Sequence, residues 1–120
     1  MLHIGKLRIH AEIANTPKSR ELGLMQRSSL CADCGMLFVF AQPSRYTFWM
    51  KNTPLPLSIA FIGADGAIIN IEEMKADTTD IHKADGQALY ALEMPSNWFS
   101  NNGVQQGAVI FSLSRWHASE

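Results

Sequence analysis

The stretch "LSIAFIGADGAIINIEEM", residues 57–74, decides the fold. Two apolar runs flank Asp65-Gly66, a dipeptide that closes hairpins because glycine takes a positive φ without steric cost. Short apolar runs bounded by turn residues are strands rather than helices. Two more strand signals precede it, "GMLFVF" at 35–40 and "YTFWMK" at 46–51, separated by Pro43 and closed off by Pro54 and Pro56. Behind it, "EMKADTTDIHKADG" at 73–86 is polar and without period, which predicts a long loop. Residues 88–94 predict a further strand, Ser96 a cap for a short helix that stops at Gly103, and "AVIFSL" at 108–113 a last strand.

Upstream, Leu7, Ile9, Ala11 and Ile13 alternate with Arg8, His10 and Glu12, the pattern of a half-buried strand. Gly5 and Lys6 join it to the run at 2–4 as a tight hairpin. Thr16 as N-cap, Pro17 at the first helical position and Gly23 as the stop predict one or two helical turns. The sum is about seven strands and two short helices, with no βαβ alternation. That pattern predicts a mainly β, compact, mostly antiparallel sandwich or partly closed barrel, as one domain over 1–120.

Composition narrows the function classes. With 47% hydrophobic residues and a net charge of -1, the chain has the make-up of a folded globular protein. Its basic residues are spread thinly, without the basic face of a nucleic-acid binder. Lys, Arg, Asp or Pro interrupts every apolar run well short of a membrane span. The start, "MLHIGKLRIH", lacks the apolar core and cleavage site of a secretory signal, which predicts a cytoplasmic location for the chain as given and a periplasmic one if a signal segment was removed.

As an extended strand, residues 45–53 carry Arg45, Thr47, Trp49 and Lys51 on one face. An indole with a cation two residues on holds an anionic or sugar-like group; the plainer account packs Trp49 under a loop and sends Lys51 to water. Cys31 and Cys34, in "CADC", fit a redox pair, half a zinc site or two incidental thiols, and without a second C-x-x-C the zinc reading is weak. Asp77, Asp80, His82 and Asp85 share a loop but match no ligand spacing, so they read as a solvated acidic loop, and neither metal nor cofactor is expected. Glu93, in "LYALEMP", alternates with Leu89 and Ala91 on an apolar face and is the best candidate for acid–base work. Pairing of Glu93 with Lys51, Arg20 or Arg27 is the structural alternative.

Three strings together resemble a prokaryotic family: "RELGLMQR" at 20–27, "GMLFVF" at 35–40 and "FWMKNT" at 48–53 are similar to those of domain of unknown function 192. The similarity runs over nearly the whole chain, and "ALEM" with the later Gly107 resembles the family's closing segment. The resemblance implies a small, mainly β, sandwich-like domain and no established activity; many relatives carry an export or lipoprotein signal. Ser58 stands where the family's "PLDI" has Asp, and Ala108 follows Gly107 where Asp is common. "CADC" is a feature of this sequence rather than of the family pattern.

The candidate ligand-binding residues are therefore Arg20, Met25, Arg27, Trp49, Lys51, Asn52 and Glu93. The leading expectation is a non-catalytic module for a small anionic or carbohydrate-like ligand, in which Trp49 stacks, Arg20 and Lys51 supply charge and Asn52 supplies directional hydrogen bonds. Its rivals are an enzyme using Glu93 or the Cys31/Cys34 pair, and a protein-interaction domain whose strand edge pairs with a partner.

Overall fold

A computed structural model describes residues 1–111 and 113–118. The N-terminal alternation forms an antiparallel hairpin, β1 (Leu2–Ile4) and β2 (Leu7–Ala14), turned by Gly5 at φ +56°. The short helix α1 (Pro17–Leu22) follows, capped as its residues predict: Thr16 Oγ1 accepts from the Ser19 N–H at 3.1 Å and Ser19 Oγ accepts from the Thr16 N–H at 3.0 Å. Gly23 ends the helix at φ +49°.

The remaining elements are β3 (Cys34–Ser44), β4 (Thr47–Phe48), β5 (Leu57–Ile62), β6 (Ile68–Met74), β7 (His82–Lys83), β8 (Ala88–Pro95) and α2 (Trp98–Asn101), with a 3-10 turn at Leu113–Arg115. Six strands form one curled, half-barrel sheet in the order β1-β2-β3-β8-β5-β6, and β4 pairs with β7 as a separate ribbon. The fold is mainly β with two short helices. One pair, β2 with β3, is parallel, because the connection between them runs through α1 and is long enough for a crossover.

Register explains why β5 is buried at all six positions. Leu37, Leu92 and Ala60 lie side by side on one face of the sheet, and Phe38, Ala91 and Phe61 on the other. The first face packs under Trp98, Phe99, Val104, Ile110 and Leu113. The second packs under Leu24, Met50 and Ala84 from the loops and the ribbon. A strand covered on both sides gains from apolar residues on both faces, which accounts for five of the six positions; the sixth, Ser58, is buried with its hydroxyl hydrogen-bonded to Glu73.

Four expectations need correction. "YTFWMK" makes strand only at Thr47–Phe48; Trp49 and Met50 lie beyond it and Lys51-Asn52 turn the chain. The polar loop at 73–86 carries β7, whose backbone pairs with β4. The second helix starts after Asn97, not Ser96; Asn97 sits at φ +64° and its N–H bonds Ser58 Oγ and a Glu73 carboxylate oxygen. At 108–113 the chain forms isolated bridges, Ala67 with Val109 and His3 with Phe111, rather than a strand; Ser112 lies outside the described residues.

Candidate functional site

The motif strings meet backbone to backbone. After α1, Leu24 buries its side chain and Gln26, at φ +66°, donates its N–H to the Asn52 carbonyl at 2.7 Å. Asn52 is itself left-handed, at φ +59°, in a turn closed by the Thr53 N–H on the Met50 carbonyl. Thr53 O and Met50 N–H then bond Asp77 N–H and Thr78 O. "LMQR" and "MKNT" thus form one knot of main-chain bonds that hangs the α1 loop over the second face of the sheet.

Beneath that overhang lies a cleft of about 590 Å³. Phe38 and Phe40 of β3, Phe48 of β4 and Trp49 supply its aromatic walls, with Arg20 and Met25 on the α1 side. The rings brace one another: Phe38 and Phe48 meet edge to face at 4.9 Å, and Phe40 stacks on Tyr46 at 3.6 Å. Gly23 allows α1 to end against this wall, since a Cβ there would stand 3.3 Å from the Phe38 ring.

Glu93 forms the floor. It is only 4% exposed, flanked in register by Met36 and Ile59, and its carboxyl has no hydrogen-bond partner among the described residues. Burial in this apolar setting pushes its pKa up to about 8, so the carboxyl is predominantly protonated near neutrality.

None of the three cations considered as a partner reaches it. Arg20 donates Nη1 to the Val39 carbonyl at 2.9 Å and lays its guanidinium 5.7 Å from the Phe40 centroid. Arg27 pairs with Glu12 through two hydrogen bonds, a contact that holds the Glu12 carboxyl below the usual carboxylate range. Lys51 stands over the Trp49 ring, its Nζ 5.4 Å from the centroid.

Of the residues expected from sequence, Arg20, Met25, Trp49 and Glu93 line the cleft, whereas Arg27, Lys51 and Asn52 do not. Asn52 serves the turn through its backbone. Sequence reasoning missed Phe38, Phe40, Thr47, Phe48, Thr53 and the exposed Ile81, which the register and the β4–β7 ribbon bring to the same hollow. Even parity on β3 would have flagged Phe38 and Phe40 as neighbours of one face.

Ser58, where the family pattern has Asp, lies on the opposite face: its hydroxyl bonds the Glu73 carboxylate at 2.6 Å and accepts the Asn97 N–H at 2.8 Å. That departure concerns the seat of α2, not the cleft. Cys31 and Cys34 are joined as a disulfide at the entry to β3, so the chain presents no thiol there. No group of three or more His, Cys, Asp or Glu among the described residues is arranged to hold a metal ion, and no helix among them is long and apolar enough to cross a membrane.

A small, mainly β domain with an aromatic cleft under its first helix is the class that fold and site define. The sequence model of DUF192, described as "Uncharacterized ACR", matches residues 1–111, and the chain belongs to that family. Among solved structures it is similar to a Sinorhizobium meliloti 1021 protein whose name suggests a transcription regulator, at 34% identity and a TM-score of 0.83 over 91% of this chain and 88% of that one. It is also similar to a protein of unknown function from Novosphingobium aromaticivorans DSM 12444, at 32% identity and a TM-score of 0.83 over 85% of this chain and 74% of that one. No curated protein matches the chain.

Proposed function

We propose that this domain is a non-catalytic module that binds a small, ring-bearing, carbohydrate-like molecule in the cleft under α1. The observation that carries the reading is Glu93: a residue 4% exposed whose carboxyl, without a partner among the described residues, opens onto a hollow walled by aromatic rings. Burying such a group costs free energy unless something satisfies it, and a ligand is the partner the fold leaves room for. The rings favour a body that stacks. An anionic ligand has less in its favour, because Lys51 and Arg27 are outside the cleft, which leaves Arg20 as the one Lys or Arg in its described lining.

An amide-shift NMR screen of the labelled chain against pools of monosaccharides and disaccharides tests this. Shifts clustered at Met25, Phe48, Trp49, Thr53 and Glu93 are expected, and their loss in Trp49→Ala. Shifts scattered over the surface, or none, would end the reading. A second reading, an enzyme with Glu93 as general acid, has the protonated carboxyl in its favour. It requires turnover that disappears in Glu93→Gln.

A further inference from the structure

The row of side chains that includes Glu93 spans five strands. In register across the sheet lie Glu12 on β2, Met36 on β3, Glu93 on β8, Ile59 on β5 and Glu72 on β6. Residues directly opposite one another share a face, so three carboxyls project from the same side of the sheet. The two outer ones have side-chain partners: Arg27 Nη2 donates to Glu12 at 2.8 Å, and His82 Nδ1 lies 3.3 Å from Glu72, an ion pair only when the imidazole is protonated. The central one, the most buried of the three, has none among the described residues. An ionised carboxylate is costliest where it is most buried, so Glu93 needs a cation more than either neighbour does if it is to ionise, and no described residue supplies one.

The cleft is suited to supply that cation from outside. Its ionisable lining consists of Arg20, Glu21 and Glu93; the Arg20 guanidinium is held against Val39 and Phe40, and Glu93 is the group at the floor without a partner among the described residues. Phe38, Phe40, Phe48 and Trp49 present ring surfaces of the kind that attract organic cations. At the mouth, Leu22, Trp49 and Ile81 are exposed large apolar side chains, a rim for the body of the same molecule.

Resting on the reading of the cleft as a small-molecule site, we propose that its ligand carries a protonated amine, which pairs with Glu93 at the floor while the attached ring lies against Phe48 and Trp49. An aminated ring compound thus deepens the carbohydrate-like class. Glu93 holds a proton in the empty cleft near neutrality, so the ammonium group takes its place and the proton passes to the buffer. For an amine that stays protonated throughout, such as benzylamine, affinity then rises by about tenfold per pH unit up to roughly pH 8. A neutral ligand that accepts a hydrogen bond from the protonated acid releases no proton and weakens above that pH.

Matched pairs, benzylamine with benzyl alcohol and glucosamine with glucose, are titrated into the full chain at pH 7. Amide shifts locate binding, and calorimetry in two buffers of different ionisation enthalpy counts protons. The amine of each pair is expected to bind at least about tenfold tighter, with close to one proton released, and Glu93→Gln to abolish the preference. An alcohol that binds at the cleft as tightly as its amine would overturn the amine and leave the cleft reading standing. Tighter amine binding without proton release would overturn it too, since the amine would then sit away from Glu93; this arm needs no variant to fold. If no member of either pair moves the cleft amides, both readings fall.

Discussion

Burial and ionisation oppose each other at Glu93. Its folded pKa of about 8 lies above the ordinary 4.5, so between those values the folded chain holds a proton that the unfolded chain has released. Stability contributed by this residue is therefore full below about pH 4.5, falls as pH rises to about 8, and is level beyond. Glu93→Gln removes that dependence. Denaturant titrations of both proteins should show the unsubstituted chain losing on the order of 2–3 kcal/mol relative to the variant between pH 5 and pH 7. Parallel pH profiles would mean that the carboxyl ionises normally in the fold. Glu12, held low by Arg27, titrates with the opposite sign: its contribution is present above the ordinary value and lost as pH falls through the folded one. Both partners are well exposed, so Glu12→Gln should cost no more than about 0.5–1 kcal/mol by the same titration.

Among the elements, the knot between the α1 loop and the Met50–Thr53 turn governs the cleft, and Asn52 belongs to it through its φ of +59°. Asn52→Gly should keep full stability and full ligand shifts, whereas Asn52→Val should lose about 1–2 kcal/mol, because β-branched residues resist that conformation. Ligand binding lost in Asn52→Gly with the fold intact would return its side chain to the site. Gly35 guards the other side of the floor: a Cβ there would collide with the Glu93 carbonyl oxygen and the Met94 sulfur. Gly35→Ala should therefore push β8 away from β3 and cost several kcal/mol, about what other severe overpacking costs, read as a lowered thermal midpoint. What sequence could convey follows the same division. Thr16, Pro17 and Gly23 announce α1 by local chemistry, and the apolar run at 57–62 announces β5. By contrast β4 and β7 exist only because Thr47 and Phe48 find Lys83 and His82, a pairing across distant segments that neither announces alone. For the same reason Glu93 was legible as a carboxylate on an apolar face, while the fates of Arg27, Lys51 and Asn52 depended on partners no local pattern names.

Over the whole molecule, a half-barrel covered on both faces separates two tasks. The first face, closed by α2 and the C-terminal segment, is packed interior; the second bears the cleft. Equivalent truncations on β5 should report that separation. Ile62→Ala and Ile59→Ala should each cost about 2–5 kcal/mol in denaturant unfolding, but only Ile59→Ala, beside Glu93, should also shift the cleft resonances. The Cys31–Cys34 disulfide closes so short a loop that chain entropy gives it only about 2 kcal/mol. Reduction should lower the unfolding midpoint by that order without moving the cleft amides.

At the floor of an aromatic cleft the fold buries Glu93, whose carboxyl has no partner among the described residues. The most direct test of this is an NMR titration of the Glu93 side-chain carboxyl carbon in the ligand-free chain. A midpoint at about 8 is expected. A midpoint in the ordinary carboxylate range would contradict it, because Glu93 would then be solvated or paired.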